Sequence, residues 1–406
     1  MTRDRLSFLF LNVGHAYDHL FMLIFPTVVL ALQREWQASY SDLLALGTVG
    51  FVAFAAGTLP AGWLGDRWSR TGMMTVFFLG LGLSSVLTGL ARTPFELALG
   101  LGLLGLFASI YHPVGTAMVV QGAARTGRAL GINGVSGNLG VALAGVTAGA
   151  LTDLFSWRAA FILPGLLAVA TGVAFALTAA RRDQAAGGSA AAKPQAAPDL
   201  SRGDQIRVLA VVAVAALFGG LVFTALTVAL PKIFEERLAD LATSTTGVGA
   251  FVSVVFAVAA LAQIPVGYLL DRYPVKRLFL LLLAAQLVLL PLAIGAEGIG
   301  MLLVAVPLML VVFGEIPITD WLVGRYAAAA WRSRVYAVKY VLSLGVGAMG
   351  VPMVAFLHES AGGFATLFLV LAILVAGIAA AVPLLPGRRR AVAGTVPVEP
   401  PLEPAP

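Results

Sequence analysis

Residues 62–70 read Gly-Trp-Leu-Gly-Asp-Arg-Trp-Ser-Arg and residues 267–272 read Gly-Tyr-Leu-Leu-Asp-Arg, so Gly62, Asp66 and Arg67 return as Gly267, Asp271 and Arg272 at an offset of 205 residues. Both stretches close a long apolar run. Pro113 returns as Pro317 at an offset of 204, and Arg128 has counterparts in Arg332 and Arg334 at 204 and 206. A near-constant offset shared by several residue types marks an internal duplication. Duplication of an apolar chain usually means two six-helix halves around a cavity that opens alternately to either side.

The rest of the chain bears out that reading. Of its 406 residues 59% are hydrophobic and only 11% charged, against about 25% charged in a soluble domain; the mean hydropathy is +0.94. This excludes a soluble enzyme, a disordered scaffold and a nucleic-acid-binding domain. Apolar runs at 6–32, 40–63, 72–91, 95–121, 129–152 and 157–180 give six spans, and runs at 206–231, 244–268, 276–296, 299–324, 333–357 and 363–385 give six more, each near the ~20 residues that cross a bilayer. The expected fold is therefore an all-α membrane protein of twelve transmembrane helices in two pseudo-symmetric bundles, residues 1–180 and 206–386. The stretch 181–205, rich in Ala, Gly, Pro and charge, reads as a cytoplasmic linker, and 387–406 as a disordered cytoplasmic tail. The first span is too long and too interrupted by polar residues for a cleaved signal peptide.

With the amino terminus inside, 20 of the 26 Lys and Arg residues fall on the cytoplasmic side, while Arg34, Arg92, Arg158, Lys232 and Arg237 fall outside and Lys339 lies within a span. That bias predicts a multi-pass protein of the inner (plasma) membrane with both termini cytoplasmic, and it explains the basic balance without nucleic acid. The absence of cysteine excludes disulfides, iron–sulfur clusters and thiolate metal sites. No cofactor is expected, and the chain is expected to act as a monomer.

The motif Gly62-x-Leu-Gly-Asp66-Arg67-x-Ser-Arg70, with its echo at 267–277, resembles the loop 2–3 motif of the major facilitator superfamily, and the resemblance extends over residues 6–385. Within that superfamily, Gly14-His15-Ala-Tyr-Asp18, Tyr111-His112-Pro113 and Gly137-Asn138-Leu-Gly140 resemble the fosmidomycin-resistance-type efflux branch. The resemblance implies secondary active transport of a small solute, with spans 1, 4, 7 and 10 lining the cavity, and it implies efflux. It also implies that Asp66, with Gly62, Arg67, Arg70, Asp271 and Arg272, forms a conformational latch bracing the cytoplasmic side of the outward-facing state. Physically, Asp66 would accept hydrogen bonds from the amides at a neighbouring helix amino terminus. The chain departs from the drug/proton antiporter pattern: residues 97–105 hold no arginine, and Gly145 is followed by Val146 rather than proline.

The candidate coupling residues are the polar ones in those spans. Asn12, His15, Asp18 and His19 share one face of span 1 at 100° per residue, and Asp18 sits about 18 Å along the axis, near the bilayer midplane. A carboxylate there is costly unless it is paired, protonated or wetted, which makes it a functional candidate. A neutral imidazole one turn away could share its proton; the competing reading is an interhelical structural pair. Tyr111 and Glu315 are related by the 204-residue offset, with His112 beside Tyr111. Glu315 has no basic neighbour in sequence, so it is expected to pair across the cavity or carry a proton. Asp320 and Lys339 could form a gate pair, though snorkelling to water is favoured for them.

The expected function is thus a proton-coupled transporter, an antiporter, of a small polar or amphipathic solute. A second reading is divalent-metal or metal-chelate transport through His15, Asp18 and His19, with His112 in span 4 as a neighbour. A membrane enzyme or receptor is disfavoured: the chain carries no HExxH motif and no Ser/His nucleophile arrangement. The glycine series at 131, 134, 137 and 140 is not a nucleotide loop, and its spacing suits helices that pack closely and rock.

Overall fold

The computed structural model describes residues 3–121, 126–183, 201–326, 332–360 and 362–386. Twelve helices among them are long and apolar enough to cross a membrane: α1 (Arg5–Trp36), α2 (Tyr40–Arg67), α3 (Arg70–Gly89), α4 (Pro94–Gln121), α5 (Gly131–Leu154), α6 (Trp157–Thr178), α7 (Arg202–Arg237), α8 (Thr245–Leu270), α9 (Val275–Leu292), α10 (Gly298–Tyr326), α11 (Val338–Ser360) and α12 (Phe364–Leu384). Each falls on a span read from the sequence, and α1 runs past residue 32 to Trp36 because Gln33, Arg34 and Glu35 still favour helix where the chain leaves the apolar zone. Most of the linker and the whole tail, 184–200 and 387–406, lie outside the described residues.

Short polar residues start the helices. Ser39, Ser69, Thr93 and Ser244 accept hydrogen bonds from the backbone N–H of Asp42, Gly72, Glu96 and Gly247, which satisfies donors that the first turn leaves free. Pro94 follows Thr93 at the first helical position, where its missing N–H costs nothing. Pro113 interrupts α4. Its missing donor and its ring force a π turn at Tyr111–Gly115 between the α-helical pieces Pro94–Ala108 and Thr116–Gln121.

Arg5, Arg67, Arg70, Arg202 and Leu384 mark one face of the bundle, here called the terminal face; Trp36, Leu154, Arg237 and Thr245 mark the opposite face. Within the first half α1 packs on α5, α2 on α4 and α3 on α6; within the second, α7 packs on α11, α8 on α10 and α9 on α12, with further contacts of α7 on α12 and α9 on α10. The halves meet along α5 with α8, α2 with α11 and α1 with α7. A two-fold exchange of the halves turns the α5–α8 contact into the α11–α2 contact, as the duplication requires.

The halves touch at the opposite face and part at the terminal face. A Cβ on Gly249 would come within 2.1 Å of the Gly145 carbonyl oxygen, and one on Gly149 within 2.4 Å of the Thr245 carbonyl oxygen. Hydrogen bonds reinforce that seam: Arg34 donates to Thr245 Oγ1 at 2.9 Å, the Thr246 N–H to Asp153 Oδ2 at 2.6 Å and Ser41 Oγ to the Ala355 carbonyl at 2.8 Å. Toward the terminal face of the same two helices, Gly131, Gly134 and Gly267 have nothing within 4 Å of where a Cβ would stand. The seam between α5 and α8 is therefore closed at the opposite face and parted toward the terminal face.

Candidate transport site

Three helices of the first half build one polar cluster. α1 supplies Asn12, His15, Asp18 and His19, the π turn of α4 supplies Tyr111 and His112, and α5 supplies Asn133. Close approach depends on missing side chains. A Cβ on Gly14 would stand 3.1 Å from Phe78 and 3.2 Å from Tyr111, and one on Gly137 would collide with the His15 ring at 2.7 Å.

Asn133 organises the buried end of the cluster. Its Nδ2 donates to Tyr111 Oη at 2.7 Å and to Asn12 Oδ1 at 3.1 Å, and its carbonyl lies 2.7 Å from His15 Nδ1. Tyr111 Oη donates in turn to the Leu11 carbonyl at 2.8 Å, and Asn12 Nδ2 to the Phe8 carbonyl at 2.9 Å. A carbonyl only accepts, so His15 carries a proton on Nδ1. In the neutral ring Nε2 then presents its lone pair, and that atom is buried without a hydrogen-bond partner among the described residues. The His15 ring stacks on Tyr111 with centroids 4.7 Å apart and stands 5.0 Å from His19 and 5.4 Å from His112.

Asp18 is completely buried. One of its oxygens lies 3.2 Å from His112 Nε2, while neither accepts a well-aligned hydrogen bond. Asp18 and His112 thus form a carboxylate–imidazole pair able to hold one proton between two helices. On its outer side His112 faces the second half, stacked against Tyr340 of α11 with centroids 6.1 Å apart.

The second half arranges its polar groups differently from the expectation drawn above. Glu315, 8% exposed, does not reach across the central space: its Oε2 accepts from Gln286 Nε2 of α9 at 3.1 Å, and its Oε1 would be 3.3 Å from a Cβ on Gly219 of α7. It turns into its own bundle because Gln286 is the nearest polar group and Gly219 leaves room. Lys339 and Asp320 likewise correct the snorkelling expectation. Lys339 is only 6% exposed and is paired with Asp320 across α10 and α11, since a partner within reach serves a buried ammonium better than a long detour to water.

The loop motif is also placed differently. Asp66 Oδ1 accepts from Arg70 Nη2 at 2.6 Å, one turn on, with its side chain 70% exposed, and this local ion pair takes the place of a helix amino terminus. The amide contact needs the two halves closed at the terminal face, where here they stand apart. Gly62 and Gly65 instead let α2 close on the α4 turn, 3.1 Å from Pro113 and 2.7 Å from Val114 by their would-be Cβ atoms. The Arg67 and Arg272 guanidiniums lie over the rings of Trp63 and Tyr268, and the Asp271 side chain lies outside the described residues.

Asn133 and Gln286 are the two partners that sequence reasoning passed over. Each is a lone amide in an otherwise apolar or glycine-rich run, Gly131-Ile-Asn133-Gly134 and Leu283-Ala-Ala-Gln286-Leu, and a buried amide must find a partner. That was the available signal. For a metal, the imidazole nitrogens of His15, His19 and His112 lie within 4.8 Å of one another; Asp18, counted as a ligand in the sequence reading, instead backs His112.

The sequence pattern of the Major Facilitator Superfamily matches residues 16–239. This chain belongs to that superfamily. Relatives include a probable 4-methylmuconolactone transporter of Cupriavidus pinatubonensis, 31% identical over 38% of this chain and 38% of its own length. A gallate transporter of Pseudomonas putida is 26% identical over 38% of this chain and 35% of its own, and a puromycin resistance protein of Streptomyces alboniger is 30% identical over 32% and 26%. The chain therefore matches less than two fifths of the length of each of these relatives. Among solved structures, a POT family transporter in complex with 5-aminolevulinic acid superposes with a TM-score of 0.74 at 14% identity, over 93% of this chain and 96% of that one. A bacterial homologue of the human lysosomal transporter Spinster, inward-facing and occupied, gives 0.69 at 15% identity over 95% of each chain. The twelve membrane-length helices and the superfamily match make this chain a multi-pass membrane protein of the Major Facilitator Superfamily.

Proposed function

We propose that this facilitator moves a small polar or amphipathic solute by alternating access, in exchange for protons held by the Asp18–His112 pair, in the direction of efflux. One observation carries the proton part: Asp18 is fully buried in the membrane-spanning core, with the His112 imidazole 3.2 Å from one of its oxygens. A proton shared there neutralises a charge that is otherwise expensive at that depth. His112 in turn faces the central space, so a conformational change can expose the pair to either side. Relatives named for gallate and 4-methylmuconolactone transport support a small ring-bearing organic solute. The relative named for puromycin resistance supports export, as does the fosmidomycin-type resemblance of residues 14–18 and 111–113.

The Lys/Arg bias supports an inner-membrane orientation with both termini cytoplasmic, in which the opening at the terminal face is an inward-facing state. The bundles 1–180 and 206–386 are the two moving bodies of a protein that works as a monomer, and Asp66, released from Arg70, forms the latch with Arg67, Asp271 and Arg272 when the terminal face closes.

The test starts from growth of cells with and without the protein on a panel of aromatic acids, lactones and antibiotics. The responding compound is then followed in proteoliposomes under imposed pH gradients of either sign. Flux that follows the gradient and loses that dependence in Asp18→Asn is expected; flux indifferent to pH gradients in the unmodified protein overturns proton coupling.

The three converging imidazoles favour a second reading, a divalent metal ion as cargo. Equilibrium dialysis of tag-free protein against Zn²⁺ decides it: binding that is lost in His19→Gln supports this reading, and absence of binding removes it.

A further inference from the structure

Lys339 stands out once the proton site is accounted for. Among the described residues it is the one Lys or Arg that is more than nine-tenths buried, and the mechanism above does not use it. A buried ammonium is costly, and a buried ion pair returns little net stability compared with an apolar pair of the same volume. Its carboxylate partner is the more open member: the Asp320 side chain is 36% exposed against 7% for Lys339. The pair is thus a buried cation whose counter-ion is the more accessible member.

Beside it stands a row of flat rings. Tyr336, in the helical segment Arg332–Tyr340 that leads into α11, and Tyr340 lie near-parallel at 22° with centroids 6.4 Å apart, and Tyr340 and His112 at 29° and 6.1 Å, so the row crosses from the second half to the first. The Lys339 ammonium lies 5.1 Å from the centre of the Tyr340 ring. Tyr336 Oη donates to the Asp320 carbonyl at 2.9 Å and ties this row to the acid. A cation with an exchangeable counter-ion, next to aromatic faces that reach both halves, suits a planar ring bearing a carboxylate.

We propose that Lys339 recognises the carboxylate of a flat-ring organic anion, that Asp320 is the resident counter-ion which the carboxylate displaces, and that Tyr340 and His112 provide the stacking surface. This names the substrate class of the transporter proposed above and rests on that reading. Binding in one ring contact across both halves gives the solute a different fit in each state, which alternating access needs. The alternative is that Lys339–Asp320 is only a pin between α10 and α11.

Benzoate and benzamide differ in charge and hardly in shape, so they are the probes. Purified protein in detergent is titrated with each, with binding read by intrinsic Trp fluorescence and stability by thermal unfolding, neither of which involves transport or a proton gradient. Benzoate is expected to bind about 10- to 100-fold more tightly than benzamide, the range for hydrogen bonds to a charged group. That preference should vanish in Lys339→Gln and persist in Lys339→Arg. Asp320→Asn, which removes the competitor, should tighten benzoate binding while lowering the unfolding temperature. Equal affinities for the two probes, no binding of either, or a preference that survives Lys339→Gln overturns the proposal. A loss of stability in Asp320→Asn with benzoate affinity unchanged identifies the pair as a pin. If benzoate binds as expected while flux ignores pH gradients, the anion site stands and proton coupling falls.

Discussion

The two halves share a backbone plan and differ in chemistry. Their helices pair in corresponding ways, and Gly62-x-x-x-Asp66-Arg67 repeats as Gly267-x-x-x-Asp271-Arg272. The polar side chains do not follow. In the first half, Asn12, His15, Tyr111 and Asn133 join three helices in one hydrogen-bonded network, beside which Asp18 and the His15 Nε2 atom are left without aligned partners. In the second half, Glu315 and Lys339 each have one partner on an adjoining helix, in two separate pairs. Even the related prolines diverge: Pro113 sits in a π turn, Pro317 lies inside the uninterrupted helix Gly298–Tyr326, and the second half places its π turn in α11 at Val341–Val346. Duplication kept the backbone plan and let the polar side chains diverge.

The largest expected effect tests that division directly. Asp18→Asn should cut gradient-driven flux by at least about tenfold while leaving solute exchange without a gradient in place, whereas Glu315→Gln should change both by less than about threefold, because Glu315 faces Gln286 inside its own bundle. Flux in proteoliposomes with and without an imposed pH gradient measures both. If Glu315→Gln uncouples the protein as fully as Asp18→Asn, the division of labour between the halves is wrong.

The fold was legible because hydropathy and duplication are long-range signals, carried by hundreds of residues. The twelve spans, the paired Asp66 and Asp271, and Asp18 as a membrane-buried acid could all be read directly. Partner choice could not, because it depends on which helix lies alongside. Nothing near Glu315 in sequence points to Gln286, 29 residues earlier, and nothing near Tyr111 points to Asn133, 22 residues later. The Asp66 contact is a different case: a latch is a property of one conformation, the sequence encodes several, and in the one described here Asp66 pairs with Arg70.

Truncating the organising amide of each half should have unequal effects on stability. Asn133→Ala leaves Tyr111 Oη without a donor and removes the carboxamide holding Asn12, so about 1–3 kcal/mol is lost, as for a buried polar group deprived of its partner. Gln286→Ala removes a single hydrogen bond, and Glu315 can take up a proton instead of remaining charged, so a smaller loss is expected. Thermal unfolding in detergent ranks the two. The reverse order would show that the second half, for all its sparse polar contacts, is the one held together by them.

The smallest effect belongs to the loop motif, and it separates a latch from an anchor. The Asp66–Arg70 pair is exposed, so Arg70→Gln should change stability by less than about 0.5 kcal/mol in the state seen here. A latch acts in the other state, and even a small differential energy shifts populations: about 1.4 kcal/mol is a tenfold change in the ratio of the two conformers. Because the chain has no cysteine, a Cys placed at Gly134 reports the opening at the terminal face through its rate of thiol labelling. Asp66→Asn in that background should speed labelling by weakening the closed form, while Arg70→Gln, which frees Asp66 from its local partner, should slow it. Identical labelling rates in the two variants would reduce the motif to a surface turn and leave the seam at Gly145 and Gly249 as the element that sets which side is open.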